Sequence, residues 1–419
     1  MLLSGSNGRR TKSTEEIVEE ARIERASRTS SVGYETTFQS ATLMSSFFNL
    51  ANTIVGSGML GLPYAYAASG WVLGSFLLVL CGLSSAFALH TLSLCAAKTG
   101  TPSSLYSIAT HAMPSLTIVI DVANAVNCFG VCTSYLIVIG DLMPDVLSQL
   151  GASEAAQDRH LWVFLGFCVV APLACLRNID SLSFTSTISI FFVFFLTILI
   201  VIYSANIDGL DPCDGINDDD VCKGGTSNAI VDLHTFQVLS IFVFGYTCHQ
   251  NVFAVTNEME RPTQDRVDKV IWLAIGTAFV IYMIVAGAGY QTYGDEVEPN
   301  ILVSYPRNYL TSIARLFVSG LVAFSYPLQS HPSRRSILSL LHHWDNYLNG
   351  VTDNALIPLS VEATTLSTIT TSADDSSSSI KIKPPTHATN PALDQTSGYR
   401  RYLLVTLCIL FASLGIGLT

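Results

Sequence analysis

From Asn49 to Gly74 the chain reads NLANTIVGSGMLGLPYAYAASGWVLG, an apolar stretch long enough to cross a bilayer but interrupted by Gly56, Gly58, Gly61 and Pro63. Inside lipid every backbone N–H and C=O needs a partner, so a disrupted helix persists only where protein or a cavity covers it. The freed groups around Val55 to Gly58 can therefore hold something small and polar. Amides near Ser57 to Leu60 open a new half-helix, whose N-terminus favours an anion. Gly56 and Gly58 let a ligand approach the backbone. Asn52 and Thr53 precede the break on the half facing the same cavity, and Asn52 binds a substrate or satisfies an unwound carbonyl. The competing interpretation of these glycines is a small-xxx-small helix contact.

A second constellation lies in IFVFGYTCHQNVFAVTNEMERPT, where Gly245, Tyr246, Thr247, His249, Gln250 and Asn251 crowd the centre of another apolar span. Polar groups at that depth are costly unless they face a cavity or each other. His249 either changes charge between an acidic and a neutral compartment or bonds unwound backbone as a neutral imidazole. Two such interrupted spans, in corresponding positions of two halves, are how secondary transporters build a midplane site. On another span Asp121, Asn124 and Cys128 share one helical face. Asp121 is a proton relay or ion ligand, or a structural hydrogen-bonding group near the interface.

The elements that must position these residues are transmembrane helices. Of 419 residues, 49% are hydrophobic and 13% charged, with a mean hydropathy of +0.44. That balance excludes an ordinary soluble domain. Apolar runs mark about nine spans, near 44–68, 71–94, 116–140, 160–176, 184–205, 236–256, 270–290, 310–328 and 402–418. The organisation expected is a cytosolic polar tail (1–40), a transport core of eight spans (41–328), a disordered cytosolic linker (329–400) and an incomplete ninth span (401–419). In the tail, Ser13 and Glu16 have capping-box spacing before a short helical stretch, on a composition that favours disorder. No cleavable signal peptide is expected.

Cations orient the chain. They cluster before the first span (Arg9, Arg10, Lys12), after the sixth (Arg261, Arg266, Lys269) and in the linker (Arg334, Arg335), while the outside keeps only Arg159, Lys223, Arg307 and Arg315. By the positive-inside rule the N-terminus is cytosolic, and the net charge of −11 carries no partner signal. Eight of ten cysteines fall in or at the ends of spans as packing residues. Cys213 and Cys222 lie in a polar loop on the oxidising side, where a disulfide is expected. A metal site there is the weaker reading, because no histidines accompany them.

The motifs NLANTIVGSGMLGLPYAYAASGW, NCFGVCTSYLIVIGDLMP, FGYTCHQNVFAVTNEMERPT, GYQTYGDEVEPNILVSYP and FSYPLQSHPSRRS together resemble the amino acid/auxin permease family. Within it they are most similar to the eukaryotic vacuolar amino acid transporters, near the sodium-coupled neutral amino acid transporters. The resemblance implies an all-α inverted-repeat fold, five-plus-five, with broken first and sixth helices. It implies roughly eleven spans, so the second repeat reads as truncated at Thr419. It also implies an amino acid substrate, held by Asn52, Thr53, Gly56, Ser57, Gly58, Tyr246 and Thr247. Asn52, Asp121, His249 and Ser319 are the candidates for coupling to H+ or Na+, Ser319 and Ser325 being the eighth-span hydroxyls available to a cation.

The function expected is therefore secondary active transport of amino acids across a vacuolar or lysosomal membrane by alternating access, proton-linked. The alternatives are an amino acid sensor that signals through its polar segments and a non-transporting truncated isoform. Glu258, Glu260 and Arg261 form a gating cluster or, more simply, a solvated loop. His90 has no assigned role. Absence of a Walker loop, an HExxH motif or a nucleophile elbow argues against ATP-driven transport and hydrolysis. No metal or other cofactor is expected, and the partners are an amino acid and membrane lipid, with no nucleic acid.

Overall fold

A computed structural model describes residues 41–100, 103–175, 183–206, 210–213, 222–348 and 391–419. The tail with its Ser13 stretch and residues 349–390 of the expected linker lie outside these. The described chain is helical: α1 (Leu43–Ile54), α2 (Leu62–Ser69), α3 (Trp71–Thr99), α4 (Leu105–Ala112), α5 (Thr117–Gln149), α6 (Arg159–Ala174), α7 (Ser183–Ser204), α8 (Leu233–Gly245), α9 (Val252–Glu258), α10 (Gln264–Tyr293), α11 (Ile301–Ser304), α12 (Tyr309–Leu348) and α13 (Pro391–Leu418). Seven helical stretches among the described residues are long and apolar enough to cross a membrane. The shorter apolar α6 and the broken α1–α2 pair occupy the remaining apolar runs. Large apolar side chains such as Phe76, Phe87, Phe191 and Trp272 are exposed on the bundle, as a lipid-facing surface requires.

Both interruptions form where the sequence weakens the helix. After Ile54, Gly56 is extended at φ −100°, ψ −149°, and a 3₁₀ turn over Ser57–Gly61 leads into α2, with Pro63 in its first turn. A proline there lacks only an N–H that a first turn leaves unbonded anyway. After α8, Tyr246 to Cys248 are non-helical, and the turn His249–Asn251 starts α9.

Gly70 turns the chain from α2 into α3 at φ +80°, where a Cβ would lie 2.8 Å from the backbone of Asn228 and Ala229. Only glycine combines that conformation with such an approach. The segment before α8 accordingly clamps this turn: Trp71 N donates to Ser227 O, Val72 N to Asn228 O and Ile230 N to Ser69 O. Asp232 caps α8 through the Thr235 N–H, and those Thr235 bonds hold its carboxyl below the usual range.

The eighth span departs most from expectation. Its helix does not stop at Leu328 but runs to Leu348, through Pro327 and Pro332, so 329–348 is not linker. The polar residues there pack against the polar face of α5. Asn124 Nδ2 donates to Ser336 Oγ at 2.8 Å, Ser333 Oγ donates to Ala125 O at 3.2 Å, and the hydroxyls of Ser336 and Ser339 flank Asp121. Arg334, expected in a cytosolic linker, is 1% exposed. Its guanidinium donates to Ala174 O and Thr406 Oγ1, meets His331 Nδ1 and lies 3.7 Å from the centre of the Tyr402 ring. This stacked, forked geometry suits arginine rather than lysine, and it joins α12 to α6 and α13. Arg315, counted among the outside cations, is wholly buried in α12. The ninth-span helix begins at Pro391, ten residues or so before the apolar run that marked it.

Cys213 and Cys222 are bonded to each other, with Cα atoms 5.8 Å apart, inside the range a disulfide spans without moving backbone. Tyr293 Oη donates to Pro212 O beside this bridge. Mass spectrometry of natively expressed protein under non-reducing conditions is expected to recover the two cysteines as one linked peptide pair; two free thiols would contradict the pairing.

Candidate amino acid site between two broken helices

The two interruptions meet at one side chain. Tyr282, on α10 and fully buried, places its hydroxyl 2.7 Å from Ile54 O at the end of α1 and 2.7 Å from Gly245 O at the end of α8. Its single proton is shared between two carbonyls that helix termination has freed. The breaks also touch directly, since a Cβ on Gly58 would lie 3.2 Å from Gly245 Cα and 3.2 Å from the Phe244 ring. Gly58 therefore allows the close contact between the two breaks, and a side chain there disturbs that packing.

A ring of polar groups surrounds this contact. A Cβ on Gly56 would lie 3.0 Å from Tyr135 Oη, and that hydroxyl faces the Gln329 side chain of α12. Gln329 Oε1 accepts from Gln250 Nε2 at 2.9 Å. Asn251 Nδ2 approaches Thr53 Oγ1 at 3.5 Å, and Thr53 itself donates to Asn49 O at 2.9 Å. Thr53, Gln250 and Asn251 are all buried. The side-chain oxygens Asn49 Oδ1 and Asn251 Oδ1 are buried with no hydrogen-bond partner among the described residues. Unpaired buried acceptors are costly, and a cation relieves that cost.

Asn52 is completely buried and binds across the bundle. Its Nδ2 donates to Ser186 Oγ of α7 at 3.3 Å, and its Oδ1 accepts from Ser325 Oγ of α12 at 3.1 Å. Ser325 is thus the eighth-span hydroxyl that meets the first break. Ser319 instead donates to Arg315 O within its own helix.

The remaining sequence candidates divide by side-chain direction. Ser57 is half-buried and lines an open cleft of about 460 Å³ with Gly58, Gly61, Ser134, Phe244, Pro299 and Asn300. Tyr246 points away from the first break: its ring lies 5.3 Å from that of Tyr282 and against Gly82 of α3, while its carbonyl accepts from Ser85 Oγ. Thr247 donates back to Val243 O. His249, half-buried, faces the Ser85 backbone on α3. Asp121 lies in the α5–α12 seam, far along α5 from the breaks, with Oδ2 unpaired among the described residues. His90 bonds Asp268 Oδ1 at 2.8 Å, tying α3 to α10.

Tyr282, Tyr135, Gln329 and Ser186 escaped the sequence reading. Each reaches its partners from a span other than the two broken ones, so the pattern that marks the breaks does not mark it. A tyrosine or glutamine deep in an apolar run is the one available signal, because such a group needs a partner. Tyr282→Phe keeps the ring and removes the hydroxyl that both freed carbonyls share, at about 1–3 kcal/mol for each buried group left unpaired. The expected outcome is a lower unfolding midpoint in detergent together with weakened amino acid binding. An unchanged midpoint and affinity would separate Tyr282 from the site.

The family described as "Transmembrane amino acid transporter protein" matches residues 39–419. The chain is 37% identical to vacuolar amino acid transporter 5 of Schizosaccharomyces pombe over 302 residues, 71% of this chain and 69% of that one. It is 34% identical to vacuolar amino acid transporter 6 of Saccharomyces cerevisiae over 310 residues, 73% and 67% of the two chains. With vacuolar amino acid transporter 5 of the same yeast it shares 32% identity over 387 residues, 88% and 80% of the two. A bundle of apolar helices with two interrupted spans in contact agrees with these matches. The chain belongs to the transmembrane amino acid transporter family, a family of multi-pass membrane transporters and not of enzymes.

Proposed function

We propose that the chain is a secondary active transporter that moves amino acids across a vacuolar or lysosomal membrane by alternating access, coupled to protons. The observation that carries this is the junction of the two breaks under Tyr282. Ser57, Gly58 and Gly61 line the cleft, and the free amides of a helix start suit a substrate carboxylate. Asn49 Oδ1, Asn251 Oδ1 and Thr53 offer oxygens to the ammonium. α1–α2 and α8–α9 are the discontinuous helices of an inverted-repeat pair, one from each half, that rock about this centre. The N-terminus is cytosolic, on the cation distribution.

His249 is the coupling group in this reading. It sits in the second break beside the Ser85 backbone, and imidazole is the side chain suited to change charge between an acidic lumen and a neutral cytosol. Protonation at the lumenal side and release at the cytosolic side drive substrate outward from the organelle. Asp121 is a second proton-binding candidate, and the set Asn52, Ser186 and Ser325 is the place where sodium would be held instead.

In proteoliposomes, flux is expected to rise as the lumenal side is acidified and to be indifferent to sodium. His249→Gln is expected to flatten the pH dependence while leaving amino acid binding at neutral pH. A strict sodium requirement without a pH effect would replace proton coupling by sodium coupling at Asn52.

A further inference from the structure

The segment between α10 and α12 borders the cleft, and a cluster of charges lies beside it. Pro299 and Asn300 line the cleft opposite Ser57 and Gly58, and a Cβ on Gly61 would lie 3.4 Å from Pro299 O. The segment is a self-bonded unit. Asn300 Oδ1 accepts from Leu302 N, Ser304 Oγ accepts from Glu298 N, and α11 lies between them. One fully buried side chain holds it from below: Arg315 Nη2 donates to Leu302 O at 3.0 Å and to Tyr305 O at 2.9 Å.

Two cations converge on one carboxylate next to this point. Arg307 Nη2 lies 3.0 Å from Asp145 Oδ1, and Arg315 Nη2 lies 3.7 Å from Asp145 Oδ2. Asp145 belongs to α5, which lines the opposite wall of the cleft through Ser134. The carboxylate therefore ties the bordering segment to α5. Without it, the positive Arg307 and Arg315 repel at the same spot, and the buried guanidinium loses its counter-ion.

We propose that residues 297–308 form a lid over the first break and that Asp145 and Arg307 are positioning residues that set how far the lid opens. This rests on the reading of the cleft as the amino acid's route. Release of the Asp145–Arg307 pair frees the lid to lift from Gly58 and Gly61, while Arg315 keeps its internal shape. Arg307 is 66% exposed at its side chain, so salt weakens this contact as it does any accessible pair. Arg315, at 1%, is shielded.

The test uses the purified full chain carrying Ser134→Cys as a reporter, with its rate of reaction toward a hydrophilic maleimide read at that residue by peptide mass spectrometry. Arg307→Gln is expected to speed labelling about two- to fivefold at low salt, and Asp145→Asn by roughly tenfold. Arg307→Lys keeps the cation and is expected to label at the parent rate. Raising salt is expected to accelerate the parent but not Arg307→Gln. Equal labelling in the parent and Arg307→Gln at matched thermal stability would overturn the lid, as would a salt effect of equal size in both. These rates are measured without substrate. A mixture of the standard amino acids is then expected to slow labelling of the parent; if it does not while Arg307→Gln still labels faster, the lid stands and the amino acid route fails.

Discussion

A helix that ends inside a membrane leaves carbonyls that water cannot satisfy, and in this chain two such ends are met by the hydroxyl of Tyr282. The rest of the centre depends on that constraint. Because one tyrosine serves both Ile54 and Gly245, the two interruptions are held against each other, and the glycines at Gly58 and Gly245 let them touch. The polar ring from Tyr135 through Gln329, Gln250 and Asn251 to Thr53 completes the same task for side chains. It links α5 and α12 to the broken pair.

The first break was legible because glycine and proline disrupt helices by local chemistry. The second was legible through the polar density around Thr247 to Asn251, which an unbroken apolar helix would not carry. Side-chain direction was not legible in the same way. Tyr246 belongs to the second break, but its ring packs toward Gly82, since the non-helical backbone from Tyr246 to Cys248 turns it out of the register that a continuous helix predicts. Ser319 and Ser325 are equally polar and equally placed in sequence. Only packing shows that Ser325 faces Asn52 and that Ser319 bonds its own helix.

The end of α12 was misread for a related reason. Ser330, Ser333, Arg334 and Ser336 look like solvated linker when a polar stretch is judged by composition. They are buried because α5 presents Asp121 and Asn124, and α6 and α13 present Ala174 O, Thr406 and Tyr402. A polar helix face is as good a packing surface as an apolar one when the opposing face is complementary. Asp121 and the eighth-span extension are thus one observation: each looks anomalous alone, and together they form a seam.

The central claim is that the junction of the two breaks binds the amino acid. Its most direct measurement is equilibrium binding of radiolabelled amino acids to purified Ser57→Val, compared with parent protein of matched thermal stability. Ser57 lines the cleft at the opening of the second half-helix, so valine crowds the backbone amides without entering the contact between the glycines. The account predicts loss of binding with folding intact, whereas parent-like affinity in this variant would contradict it.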